Sequence, residues 1–378
     1  MTLYSEEPEN AVREREGERM PRAKRVGYLL LVASVAAILI LGFAPSPYVI
    51  ERPGPVFNTI GVDTEVGQPA RPGAKPVLSI PGRQTYPTSG SLDLLTVNVV
   101  GNPQQLPNWF QVVTAWFRPS QSVVPVEAEF PRGQTADEAN QQNAQAMSSS
   151  QQDATAAALV ALGYDVEQHV VVAGIEKGSP AAGRVSANDR ITAADGKKIE
   201  SVQQLRDAVQ AQHGGPVTLT VERGGATRDV SITPEKDPQS GSWILGVSAG
   251  EQYGTLPVRV DFQLADIGGP SAGQMFALGI IDKLTPGYLN GGKRVAGTGT
   301  IDAQGDVGAI GGIRQKMYAA RDAGATVFLA PRSNCDEVTG HVPAGLHVYA
   351  VKTLSDSMKV LKTVSHGGDT GKLATCRG

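Results

Sequence analysis

From Val26 to Ala44 the chain runs through nineteen uncharged and mostly apolar positions, VGYLLLVASVAAILILGFA. At about 1.5 Å per residue, a helix over this stretch nearly spans a hydrocarbon core of about 30 Å. The head before it, EEPENAVREREGERM, has almost no apolar residue, which predicts disorder over 1–25. Residues 45–90 are rich in Pro and Gly and read as an extended lead-in with short strands. The β-branched, partly alternating run SLDLLTVNVV (91–100) predicts a strand. A polar stretch over 132–152 then leads into an apolar helix at 154–163, with Ser148–Ser150 and Asp153 available as caps. Beyond it the rhythm shortens: a strand at 169–175, glycine-punctuated loops, a helix at 201–210, and two strands, VTLTVERG and TRDVSITP, joined at Gly224-Gly225. In that helix Val202, Leu205 and Val209 make one apolar face.

Composition changes the picture mainly by exclusion. The 378 residues carry 34 Lys plus Arg against 37 Asp plus Glu, a net charge of -3, so no dispersed basic surface offers itself to nucleic acid. Forty-four Gly and 25 Pro are scattered without period, as in a protein of many turns rather than a collagen. Two cysteines cannot form an iron–sulfur cluster or a four-cysteine zinc site, and the five histidines have no metalloprotease spacing, so no metal or other cofactor is expected. Arg19, Arg22, Lys24 and Arg25 precede the apolar span and only Arg52 closely follows it. The positive-inside rule then places the N-terminus in the cytoplasm and everything from about Pro45 outside the cell membrane, through a single-pass anchor. A cleaved signal peptide fits less well, because the preceding segment is long and Pro45 comes directly after the small-residue site Gly42-Phe43-Ala44.

The run GSPAAGRVSANDRITAADGKKI, followed by a short helix and a hairpin, resembles a bacterial PDZ domain through its spaced Gly-x-Pro-Ala, Asp-x-Ile and Asp-Gly elements. The resemblance implies capture of an extended peptide between a sheet edge and the helix. No carboxylate-binding loop is recognisable within residues 168–235.

Two later segments, ADIGGPSAGQMFALGIID and AGTGTIDAQGDVGAIGGIRQKMYAARDAGATVFLAP, closely resemble the proteolytic domain of Lon proteases. Gly-Pro-Ser-Ala-Gly puts Ser271 at the start of an apolar helix, where free backbone N–H groups near Ser271 and Ala272 are candidate oxyanion donors. By resemblance Ser271 is the nucleophile, Lys316 at the end of Gly311-Gly312-Ile313-Arg314-Gln315-Lys316 is the base, and Thr298 holds the lysine amine. Such a base must be neutral near pH 7, and the flanking Met317, Ala319 and Ala320 are consistent with desolvation that lowers its pKa. Lys283 and Lys293 are the rival bases, but they sit at a helix end and in a polar loop, where nothing is expected to depress a pKa. The pattern also departs from that family: Gly268 and Thr300 stand where acidic residues are common, and Asp266 is the nearest upstream carboxylate. No phosphate-binding loop occurs, the closest string being GGDTGKL near the terminus, so no use of ATP is expected.

The strand at 91–100 and helix at 154–163 resemble the opening of the same proteolytic domain. The expected architecture is therefore α+β: a transmembrane helix (26–44), a Lon-like domain in two parts (91–167 and 236–365) with a PDZ domain inserted at 168–235, and a polar tail (366–378). It implies a membrane-anchored, ATP-independent serine endopeptidase acting on flexible extracytoplasmic polypeptides, self-associated as Lon domains are, in six-membered rings. A non-catalytic peptide-binding scaffold or chaperone is the alternative. Cys335 and Cys376, both placed outside the membrane, are expected to form a disulfide that staples the tail.

Overall fold

The computed structural model describes residues 21–131, 133–238, 240–264 and 267–376; most of the charged head, and Asp266, lie outside the described residues. Helix α1, Arg22–Phe43, is long and apolar enough to cross a membrane, and none of its residues is buried. The expected lead-in is corrected by the next segment. Tyr48–Asn58 is an eleven-residue strand, β1, paired antiparallel with Ser91–Val100, β2. Its prolines argue against a strand, but the register shifts between Pro53 and Val56, and such an irregularity accommodates them. At the shift Gly54 lies so close to Thr96 that a Cβ would sit 2.4 Å from its hydroxyl oxygen.

After β2 come helix α2 (Trp109–Trp116), strand β3 (Ser122–Pro125), the single turn α3 (Val126–Glu129) and helix α4 (Ala136–Ala161). The last is much longer than its apolar half. A reciprocal capping box starts it: the Glu138 N–H donates to the Thr135 hydroxyl (3.2 Å) and the Thr135 N–H to the Glu138 carboxylate (2.9 Å). Ser148–Ser150 are thus interior positions and not caps, the polar Ala/Gln-rich residues before them being good helix formers.

The PDZ unit comes next as strands β4 (Gln168–Ile175) and β5 (Arg190–Ala194), helix α5 (Val202–Ala211), strands β6 (Val217–Arg223) and β7 (Ala226–Ile232), and finally β8 (Val247–Tyr253). The sheet order is β8-β4-β5-β6-β7, so the unit extends past the expected boundary at 235 to Tyr253. It has its own core, which includes Val170, Ile191, Leu205, Leu219 and Leu245.

The chain then supplies helix α6 (Gly273–Leu284), strand β9 (Arg294–Gly297), the small hairpin β10–β11 (Thr300–Ile301 and Val307–Gly308), helix α7 (Ile313–Asp322), strands β12 (Val327–Pro331) and β13 (His347–Val351), and helix α8 (Leu354–Ser365). Strands from both sides of the PDZ unit build one six-stranded sheet, β13-β12-β9-β2-β1-β3, parallel from β13 to β2 and antiparallel beyond. Strand alternation sorts its side chains: Val327 and Leu329 join the core under α4, α6 and α8, whereas Phe328 and Ala330 pack with Ile313 and Met317 of α7 on the other face.

A polar junction ties the PDZ unit to this core. Tyr253 Oη is 2.7 Å from Asp153 on α4 and 2.9 Å from Glu251 on its own strand. A phenol has one proton to donate, so Tyr253 serves one of the two carboxyl groups at a time. Burial pushes the Asp153 carboxyl up to about 7, the Tyr253 hydrogen bond opposes the rise, and Glu251 and Asp302 add to it. Cys335 and Cys376 are joined in a disulfide across 41 residues, and Ala374 beside it accepts a hydrogen bond from the Ala350 N–H of β13.

A carboxyl whose folded pKa is raised stabilises the fold below its unfolded value near 4, and that contribution is lost as pH rises through about 7. Denaturant titrations of Asp153→Asn are therefore expected to show a shallower loss of stability from pH 5 to pH 8 than the wild type; an unchanged slope removes the junction as its source. Cys376→Ser is expected to cost about 2–4 kcal/mol in the same titration at fixed pH.

Candidate active site

Ser271 is held by its backbone before its side chain is considered. The Pro270 carbonyl accepts from Ser150 Oγ of α4 (2.9 Å), and the Ser271 carbonyl accepts from both the Gly299 N–H (2.9 Å) and Thr298 Oγ1 (2.9 Å). The Gln274 N–H donates to the Gly299 carbonyl at 3.1 Å, which zips the start of α6 to the loop after β9. Gly268 and Gly273 allow this close packing: a Cβ on Gly268 would lie 2.7 Å from Asn143 Cβ, and one on Gly273 would lie 2.9 Å from Ser150 Oγ. The missing acidic side chain at 268 thus reflects a backbone pressed against α4. Ser271 and Ala272 precede the first helical residue, and among the described residues their N–H groups make no backbone hydrogen bond.

Lys316 reaches the serine from the opposite side. Gly312, in the left-handed region (φ 65°), begins α7. A Cβ there would also meet Val97 at 2.6 Å, so the glycine serves both the turn and the approach to β2. One turn into the helix, Lys316 Nζ lies 2.7 Å from Ser271 Oγ and 3.1 Å from Thr298 Oγ1. Lys316 is 3% exposed and Thr298 is fully buried. Burial lowers the Lys316 pKa from 10.5 to about 7, against a pull upward from Glu51. The three residues singled out in the sequence are therefore brought together, with about half of the amine neutral near pH 7.

Of the rival bases, Lys283 corrects the expectation that nothing depresses its pKa: burial lowers it, with Asp282 opposing. It lies at the far end of α6, some twelve residues and about 18 Å along the axis from Ser271. Lys293 is exposed in the turn before β9.

The Ser271–Lys316 pair opens into a cavity of about 1100 Å³ whose walls include Val97 and Asn98 of β2, Met147 of α4 and Ile267. Two further residues on its wall were not singled out by any sequence motif, Glu51 of β1 and Glu129 of α3. Burial pushes the Glu51 carboxyl up to about 7, helped by its hydrogen bond to the Glu129 carboxyl, while Lys316 acts to lower it. Glu51 was hidden because it lies in the Pro-rich Ile50-Glu51-Arg52-Pro53-Gly54, whose strand pairing local pattern does not reveal.

A second cavity, of about 610 Å³, lies in the PDZ unit between α5 and the chain entering β8. Leu205 and Val209 form one wall and Leu245, Gly246 and Val247 the other. The walls are clipped at both ends: Gln210 and Trp243 exchange two hydrogen bonds (2.7 and 3.0 Å), and the Val202 N–H donates to Glu251 at 3.1 Å. The loop at 243–246 lies past residue 235, the end of the unit expected from the sequence.

Comparison with known proteins matches residues 265–364 to the Lon protease C-terminal proteolytic domain and residues 148–233 to the PDZ domain. The chain thus carries a Lon-type proteolytic domain together with a PDZ domain. A Lon protease of Magnetococcus marinus is 28% identical over 160 residues, covering 42% of this chain and 20% of that protein. Lon protease 2 of Herpetosiphon aurantiacus is 29% identical over 151 residues, covering 39% of this chain and 18% of that protein. The chain therefore matches a fifth or less of the length of these relatives. Among solved structures, the PDZ domain of the SdrC-like protein of Listeria innocua shares 27% identity over 21% of this chain and 92% of that one, with a TM-score of 0.21.

The electrostatics give a directional test. If neutral Lys316 is required, peptide hydrolysis is expected to fall as pH drops below about 7. Glu51→Gln removes the negative charge that raises the Lys316 pKa, so the acid limb of the kcat/KM profile is expected to move to lower pH. A limb that stays in place, or moves up, separates Glu51 from Lys316.

Proposed function

We propose that the protein is an ATP-independent serine endopeptidase in which Ser271 and Lys316 form the catalytic dyad. The observation that carries this reading is the buried Lys316 amine at 2.7 Å from Ser271 Oγ, with its pKa brought down to about 7. In the neutral state the amine accepts the hydroxyl proton as Oγ attacks a peptide carbonyl, then returns it to the leaving amine. A water activated by the same amine clears the acyl-enzyme. Thr298 accepts from Lys316 and donates to the Ser271 carbonyl, which fixes the direction of the amine. The N–H groups of Ser271 and Ala272 face the developing oxyanion at the start of α6.

Substrate placement is governed by β2. Its pairing with β9 stops at Leu94, and Leu95–Val99 beyond it line the dyad cavity. An extended polypeptide laid along that stretch presents its carbonyls to Ser271. The PDZ groove offers a second site for an extended segment, along β8 at the end of its sheet. With both sites on one scaffold, binding at the groove raises the effective concentration of the same chain at the dyad. We place this machinery outside the cell membrane, anchored by α1, because basic residues concentrate before that helix and because the disulfide suits an oxidising compartment. In that setting the substrates are flexible or destabilised extracytoplasmic polypeptides.

Ser271→Ala and Lys316→Ala are each expected to abolish peptide hydrolysis and serine-probe labelling without unfolding the protein, while Thr298→Val keeps the fold and lowers kcat. Full activity in either alanine variant overturns the dyad, whereas a wild-type protein that neither hydrolyses peptide nor takes the serine probe favours a binding scaffold. Leu205→Glu in the PDZ groove is expected to impair cleavage of a protein substrate more than that of a short peptide. Equal loss on both assigns the groove a structural role only.

A further inference from the structure

Helix α2 presents a surface that the catalytic reading does not use. One face of it is buried: Val112 and Ala115 pack with Ile50 on the sheet, at the β1–β3 edge. The opposite stripe holds Phe110, Val113, Thr114 and Phe117, at the spacing of one helix face. Phe110 is 61% exposed and Phe117 84%, and Trp116 on the flank is 59% exposed. From Val97 to Phe117 the chain carries no charged residue, and Arg118 ends the run. Large aromatics left in solvent on an uncharged helix mark a binding surface.

The position of that helix identifies what it meets. Helix α1 has 22 residues, about 33 Å of rise, and ends at Phe43. The start of α2 is bonded to the chain just beyond that end. The Trp109 N–H donates to the Ala44 carbonyl (3.3 Å), and Ser46 donates to the Pro107 carbonyl through both its N–H (2.8 Å) and its hydroxyl (2.9 Å). A capping box between Asn108 and Gln111, at 2.9 and 3.0 Å, then begins α2 at the same level. If α1 crosses the bilayer, α2 sits at the depth of the headgroups, where amphipathic aromatic side chains partition favourably.

We propose that α2 is an interfacial helix that rests the proteolytic domain on the phospholipid surface, with Phe110, Trp116 and Phe117 immersed at the headgroup–acyl boundary. The inference rests on α1 as the membrane anchor and is independent of the dyad. One consequence concerns substrates. Glu51 on the cavity wall is seven residues beyond Ala44, so it lies within about 25 Å of the interface even along a fully extended chain. The dyad is thus held within reach of polypeptide segments emerging from the same membrane.

The test uses the full-length protein reconstituted in phosphatidylcholine vesicles, with and without acyl chains brominated near the headgroup. Flotation establishes first that the protein is in the membrane; protein that stays soluble removes the anchor, and this inference with it. In floated protein, brominated lipid is expected to quench part of the tryptophan emission, and Trp116→Phe is expected to lose most of that quenching. Trp109 and Trp243 are the only other tryptophans. Trp109 is half-buried edge-on against Tyr48 and Trp243 lies in the PDZ groove, so neither replaces the lost signal. Quenching that is absent, or identical in wild type and variant, overturns the proposal. So does Trp116 emission that depends on protein dilution and not on bromine, the signature of a second copy covering the helix. As a control that leaves Trp116 in place, the Phe110→Ser, Phe117→Ser double variant is expected to float normally but to show red-shifted, weakly quenched emission.

Discussion

Placing a lysine amine almost wholly out of bulk solvent is the constraint around which this structure is arranged. Lowering the Lys316 pKa from 10.5 to about 7 corresponds to roughly 5 kcal/mol of disfavoured charge, at about 1.4 kcal/mol per unit. Such a cost is sustained only where surrounding elements leave the side chain no alternative. Here the amine is enclosed by β1 and β2 behind it, the loop after β9 beside it and the start of α6 in front. Each of those elements is itself fastened: Ser150 holds Pro270, Thr298 and Gly299 hold Ser271, and Gly312 seats α7 against Val97. The neighbouring carboxyl of Glu51 works against the desolvation, so the lysine is balanced close to the pH at which a base is most useful.

Helix α4 connects this centre with the PDZ unit. Ser150 on it holds the turn before Ser271, and one turn further on Asp153 holds Tyr253 at the end of β8. Glu251, the other partner of that tyrosine, also accepts from the first N–H of α5. A short chain of hydrogen bonds thus runs from the groove helix through β8 and α4 to the residue preceding Ser271. It is a contiguous physical contact between the two sites. Whether occupancy of one changes the other depends on differential binding to two states of that contact.

The parts of the fold legible in the sequence were those in which local pattern and tertiary role agree. The strand at Ser91–Val100, the helix beginning after Ser201, and the hairpin around Gly224 fall close to where periodicity and turn residues put them. Ser271, Lys316 and Thr298 could be singled out together only through the resemblance of their two segments to Lon proteolytic domains. What escaped notice depends on partners distant in sequence. Residues 48–58 form a strand because β2 and β3 lie on either side, which overrides two prolines; Glu51 was lost with them. The last strand of the PDZ sheet was missed because 247–253 pairs with a strand more than seventy residues earlier. The polar half of α4 carries few buried side chains, so hydrophobic periodicity underestimates it, although its capping box is readable at Thr135 and Glu138.

The disulfide has a consequence beyond covalent stapling. β13 is the outermost strand of the main sheet, and an outermost strand exposes a row of unpaired amides on which a second chain can template. The tail that Cys376 anchors lies across it, with Ala374 accepting the N–H of Ala350. Oxidation therefore closes the margin of the sheet as well as the loop. Before the bond forms the same margin is free to recruit other strands, so the timing of oxidation relative to folding bears on whether the newly made chain matures or aggregates.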